Sequence, residues 1–181
     1  MTLKLRTVKE SDLKNIMQWR MLPEVTKYMY TDPVLDLEKQ KLWFKKIQKS
    51  MNELYWIIVF ENIDIGLLSI NEIDYINKRC TWAYYIGNTS FRGKGIATNL
   101  ECNIYNYVFN TLKLNKLCCE VFESNKKVIA IHEKFGSVIE GIFKEHIFKN
   151  EEFYNIVCMS IIKEKWDEIK ENYNYKEILI E

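Results

Sequence analysis

Apolar positions alternate, cluster and recur along this chain in patterns that lay out its elements. Leu3 and Leu5 alternate with Lys4 and Arg6, and together with Thr7 and Val8 they predict a short first strand. Ser11 stands as an N-cap before a helix carrying Leu13, Ile16, Met17 and Trp19. Pro23 and Pro33 bracket an irregular or short helical stretch, and a second helix is predicted over 37–51. Three segments of strand character follow, 55–60, 64–73 and 80–86, separated by short polar turns, and they predict an antiparallel meander. Beyond Arg92 to Gly95 the period becomes helical as far as about Leu112. A short apolar strand over 117–122, a helix over 125–135 stopped by Gly136, and a hairpin of 138–148 with 153–162 complete the body. A charged segment with Trp166 and a tyrosine-containing tail close the chain.

No internal repeat or Pro/Gly/Ser-rich linker divides this order, which predicts one α/β (α+β) domain over 1–181, with a tail from about 164. At 181 residues a single core can be buried without disulfides or metals. The charge is +1, from 26 Lys plus Arg against 25 Asp plus Glu, so no global field selects a nucleic acid or a basic partner. No apolar run reaches the roughly 18 residues of a membrane span, and the first residues lack the apolar core of a signal peptide, so a cytoplasmic protein is expected. The five cysteines form no zinc-type pairs, and two histidines, His132 and His146, are too few for a His-rich centre; no metal is expected.

Glycine is the informative scarcity. Six in 181 is about 3%, against roughly 7% on average, yet Gly93 and Gly95 are separated by one residue. They lie in Arg92-Gly93-Lys94-Gly95-Ile96-Ala97, between a predicted strand and a predicted helix. Such a loop turns successive backbone N–H groups into one concavity beside the positive end of a helix, an anion site suited to a phosphate or diphosphate. A P-loop or a dinucleotide fingerprint would need glycines that this stretch lacks.

The hexapeptide matches R/Q-x-x-G-x-G/A, and in this place it resembles the coenzyme A pyrophosphate loop of the GNAT acetyltransferases. Asn125 and the run Ile129 to Gly136 resemble that family's N-x-x-A/S-x-x-x-Y/H-E-K-x-G-F, with Val128 at the small position and Ser137 in place of the final aromatic. The resemblance implies a seven-stranded, mostly antiparallel mixed sheet with splayed fourth and fifth strands and about four helices. It also implies an N-acetyltransferase that uses acetyl-CoA, with Tyr85, Ile86 and Gly87 as main-chain contacts, the diphosphate on Arg92 to Ala97, and Asn125 beside the pantetheine arm. The family's acid is a tyrosine where this chain has His132, an imidazole able to protonate a leaving thiolate. Glu72 and Glu120 are the candidate bases, although the amine could also lose its proton to bulk water.

Trp19-Arg20 followed by Met21-Leu22-Pro23 resembles an element shared by ribosomal-protein and sugar-nucleotide acetyltransferases. Tyr28-Met29-Tyr30, Leu42-Trp43-Phe44 and Ser69 to Ile73 resemble the branch that acetylates the 4-amino group of a UDP-linked amino-dideoxy sugar in pseudaminic acid biosynthesis. On that resemblance Arg20 would meet the nucleotide diphosphate. Met29, Tyr30 and Phe44 would cover uracil or sugar, and Asn71 and Tyr84 would line the acceptor side. The alternatives are a polyamine acetyltransferase, which should show a dense acidic pocket; a ribosomal-protein N-terminal acetyltransferase, which needs an open groove; and a coenzyme-A-binding regulatory module without turnover. A homodimer would explain an aromatic C-terminal tail.

Overall fold

The computed structural model describes residues 2–181 and divides into two compact units. One comprises the chain up to Ile73 with Ala83–Ile96 and Ile178–Glu181; the other comprises Asp74–Trp82 and Ala97–Glu177.

In the first unit, β1 (Leu3–Thr7) runs antiparallel to β2 (Leu54–Phe60), with Leu3 opposite Phe60 and Thr7 opposite Trp56. A two-residue turn, Glu61-Asn62, has φ of 48° and 62° at its two positions and leads β2 back along β3 (Ile63–Asp74). Positive φ at both central residues is the geometry that matches the strands' own twist. Beyond β3 lies the second half of β4 (Arg79–Ile86). Trp56 to Phe60 are all buried, which an unbroken apolar run achieves only when both faces of a strand are covered. Part of that cover comes from α1 (Leu13–Arg20) and α3 (Leu37–Ile47), with the single turn α2 (Pro23–Thr26) between them. Val8, Ile16, Ile57, Val59 and Leu67 form the core there, with Trp19, Trp43, Phe44, Tyr55 and Tyr85 packed on it. The guanidinium of Arg6 ties the layers together, bonding Asp12 at 2.7 and 2.8 Å and Asp64 at 2.6 Å.

The second unit holds the first half of β4, β5 (Lys116–Phe122), and the hairpin β6 (Val138–Lys149) and β7 (Glu152–Ile162), in the order β6-β7-β5-β4. β5 is parallel to β4 at three positions, Arg79 to Thr81 against Lys116 to Cys118, and antiparallel to β7 throughout. α4 (Ile96–Asn106) enters this unit at Ala97 and ends in a wider π-type turn over Tyr107–Thr111. α5 (Lys126–Lys134) and α6 (Lys163–Ile169) complete the helices.

The α/β class and the mixed, mostly antiparallel pairing agree with the sequence reading. The counts come close to it as well: among the described residues there are eight strands and six α-helices, against seven and about four expected. The extra strand is β8, the dipeptide Leu179–Ile180, which runs parallel to β1 and is too short to show a period. It is held by Glu181, whose N–H donates to Leu5 and whose carbonyl accepts from the Trp56 indole at 2.7 Å. The aromatic residues before it are bonded within the second unit. Trp166 is fully buried, donates to Asn106 at 2.8 Å, and stacks on Tyr173 with the ring centroids 5.9 Å apart, while the half-buried Tyr175 accepts from Asn106 at 2.7 Å.

Candidate active site

The first unit encloses a cavity of about 370 Å³. Helical spacing brings Ile16 and Arg20 to it from one face of α1, and Gln40 and Trp43 from one face of α3. Strand alternation does the same for Leu67 with Ser69 on β3 and for Ala83 with Tyr85 on β4. Met29 and Thr31 close it from the loop after α2. α3 is fixed at its start by Asp36, whose side chain accepts from the Lys39 backbone at 2.8 Å, and Lys39 also lines the cavity. Trp43 and Tyr55 meet edge to face at 5.2 Å.

The cavity wall is cationic and incompletely bonded. Arg20 donates through Nη2 to the carbonyl and hydroxyl of Thr31, at 3.0 and 3.1 Å, while its Nη1 is buried without a partner. Burial pulls the guanidinium below its usual pKa, with Tyr85 and Asp32 opposing. Arg20 and Lys39 are the charged residues on the wall, and no Asp or Glu lines it. Burial pushes the phenol of Tyr55 up to about 12 and raises that of Tyr85 further, so both are neutral hydroxyls at physiological pH.

Arg20 and Met29, expected at the substrate, lie on this wall. Tyr85 lies there through its side chain, where the sequence suggested only its backbone. Four expected residues stand elsewhere. Phe44 packs into the helix–sheet core, and Tyr30 is 37% exposed. Alternation puts Tyr84 on the face of β4 opposite Tyr85. Asn71 stands one bond back, donating to Ser69 at 2.9 Å. Gln40, Trp43 and Tyr55 were missed. Gln40 interrupts a run of lysines yet shares the apolar stripe of Trp43 and Ile47, a signal that the sequence did carry.

The glycine loop has the expected conformation. Gly93 and Gly95 have φ of 78° and 72°, and a Cβ on either would meet nothing within 4 Å. The space above the loop is open, and the left-handed backbone is what calls for glycine. Lys94 lies 4.6 Å from the centre of the Phe91 ring, and Arg92 donates to the Ile86 carbonyl at 3.0 Å, so that carbonyl is already engaged. Ile96 begins α4, with Ala97 next in its first turn. An open concavity of left-handed glycines running into a helix start, with two cations beside it, fits a diphosphate. At Gly87 the reason is room: a Cβ would fall 2.2 Å from Cγ of Trp19.

In the second unit, Asn125 begins α5 and its carbonyl accepts from Val128 and Ile129 at 3.0 and 3.2 Å. His132, on the same helix, is only 4% exposed, with Nδ1 at 3.0 Å from Oε1 of the fully buried Glu101. Tyr105 donates to Glu101 Oε2 at 2.6 Å and stands 3.2 Å from the Ser137 hydroxyl. Burial pulls the His132 imidazole down, but bonds with Cys119 and Glu101 outweigh it and bring the pKa up to about 10. His132 is therefore an imidazolium at neutral pH. Glu101 was not foreseen, although a lone carboxylate between Leu100 and Ile104 in an apolar helix is a visible anomaly. Glu72, with φ of 52° in β3, and Glu120 on β5 are both exposed, and neither lines the cavity. Among the described residues no group of three His, Cys, Asp or Glu could hold a metal ion, and no helix is long and apolar enough to cross a membrane.

The sequence profile described as "Acetyltransferase (GNAT) domain" matches residues 2–138. Spermidine N(1)-acetyltransferase of Escherichia coli K12 is 27% identical over 166 residues, covering 91% of this chain and 88% of the relative. Acetyltransferase PseH of Campylobacter jejuni is 26% identical over 126 residues, covering 68% and 74%. The crystal structure of spermidine N-acetyltransferase from Vibrio cholerae in complex with CoA and spermine superposes with a TM-score of 0.86 at 25% identity, covering 91% of this chain and 98% of that one.

Proposed function

This chain belongs to the acetyltransferase (GNAT) domain family and is an acetyl-CoA-dependent N-acetyltransferase; from that footing we propose that its acceptor amine is carried by an anion, a UDP-linked amino-dideoxy sugar acetylated at its 4-amino group. One observation carries the reading: the cavity presents Arg20 and Lys39 and no carboxylate. A polyamine would bring two or more ammonium groups against the Arg20 guanidinium with no carboxylate on the wall to pair them, whereas a diphosphate meets a guanidinium through strong charge-assisted bonds. The likeness to PseH agrees with this choice, while the likeness to spermidine acetyltransferases covers more of the chain without supplying the acidic wall that a polycation calls for.

Acetyl-CoA supplies an acyl group activated as a thioester, and the Arg92 to Ala97 loop is the part of this chain that would hold its diphosphate, with Tyr85 to Gly87 and Asn125 along the remainder. Transfer forms an amide C–N bond, breaks the C–S bond, and moves one proton off the amine and one onto the thiolate. Glu101 and Cys119 together favour the charged form of His132, and that imidazolium is this chain's candidate donor to the leaving thiolate. Glu72 and Glu120, both exposed, would take the amine's proton directly or through water.

The test is thiol release from acetyl-CoA with three acceptors in turn: the UDP-linked 4-amino sugar, spermidine, and a peptide starting with Ala or Ser. Turnover of the sugar nucleotide alone supports the reading. Turnover of spermidine without it refutes the reading.

A further inference from the structure

Three buried side-chain polar atoms without a hydrogen-bond partner belong to residues on one cavity: Arg20 Nη1, Gln40 Oε1 and the Tyr85 hydroxyl. They come from α1, α3 and β4, so no single distorted element accounts for them. Burying such groups unpaired is costly, and native proteins concentrate the exceptions where a ligand completes them. Gln40 is the sharpest case. It is 6% exposed, in the middle of a helix whose other polar side chains reach solvent, and its carbonyl oxygen can only accept.

We infer that Gln40 is a specificity-determining residue of the acceptor site, reading an N–H or O–H donor on a ligand whose oxyanion is held by Arg20 Nη1 and the Tyr85 hydroxyl. Tyr85 is a donor here because burial keeps its phenol protonated. The set comprises one acceptor beside two donors, one of them cationic, with Trp43 and Tyr55 supplying aromatic surface. A ligand that satisfies all three carries a phosphate-type oxyanion and, a short distance away, a sugar hydroxyl or a ring N–H. A polyamine could serve Gln40 but leaves the guanidinium facing an ammonium. The inference rests on the sugar-nucleotide reading for the ligand's class, while the role of Gln40 needs only that this cavity receives the acceptor.

Calorimetric titration with UDP-N-acetylglucosamine, which has no free amine and so cannot turn over, tests it on the parent, Gln40→Leu and Gln40→Met. The parent should bind, and both variants should bind at least tenfold more weakly while melting no lower than the parent, because each removes an unpaired buried oxygen. Unchanged affinity in the variants overturns the inference. So does a weakening matched by a fall in melting temperature in both, which would make Gln40 a packing residue. If the parent does not bind this probe and another amine of the panel is acetylated, the sugar-nucleotide reading fails by itself. Gln40 is then judged on that amine: a tenfold rise in KM with kcat within threefold upholds its role, and an unchanged KM ends it.

Discussion

Exchange of Glu101 for Gln keeps the shape of a fully buried side chain and removes its charge, leaving the His132 imidazolium without its counter-ion. The bonds hold the pKa of His132 at about 10 against an ordinary 6.5. At 1.36 kcal/mol per unit this sets a ceiling of about 5 kcal/mol on the preference for the charged form. Cys119 accounts for part of that shift, so Glu101→Gln should cost about 3–5 kcal/mol at pH 6, the usual loss when one partner of a buried pair is removed. A raised folded-state pKa contributes stability that is complete below about pH 6.5 and fades as the pH climbs through about 10. The gap between parent and variant should therefore be widest at pH 6 and close steadily toward pH 10.5. Guanidinium unfolding of both proteins at four pH values across that range measures it. A gap that does not change with pH would refute a charged pair at this place, whatever its size.

Other substitutions test other parts of the structure. Gly93→Ala and Gly95→Ala each force a side chain into left-handed backbone, at about 1–2 kcal/mol apiece, and should raise KM for acetyl-CoA several-fold with little change in KM for the amine. Gly87→Ala drives a methyl into the Trp19 indole and should lower stability by about 1–3 kcal/mol, read in the denaturation midpoint. Trp166→Ala should cost about 3–5 kcal/mol and expose the tail to limited proteolysis before the body of the protein is cut.

Much of the fold was legible because its elements obey local rules. The unbroken apolar run of β2 and the hairpin turning at Asn150-Glu151, both at positive φ, fall within a few residues of where periodicity puts them. The glycine loop was legible for the same reason: φ near 75° is a local demand, written in the identity of Gly93 and Gly95. What escaped depends on partners distant in sequence. β8 exists because Glu181 finds Leu5 and Trp56 at the far end of the chain. Trp43 and Phe44 are neighbouring aromatics that both pack on the core, and only the packing of α3 on its sheet decides that Trp43 also reaches the cavity. Glu101 and Gln40 were anomalies of pattern, polar residues on apolar stripes, whose meaning appears once His132 and Arg20 stand near them.

The claim that this N-acetyltransferase takes an anionic acceptor through Arg20 is tested most directly by kcat/KM for the UDP-linked 4-amino sugar and for spermidine, in the parent and in Arg20→Met. The account predicts that the parent strongly prefers the sugar nucleotide and that Arg20→Met loses at least tenfold on that substrate while spermidine gains or holds. A parent that prefers spermidine, or an Arg20→Met variant whose preference is unchanged, would contradict it.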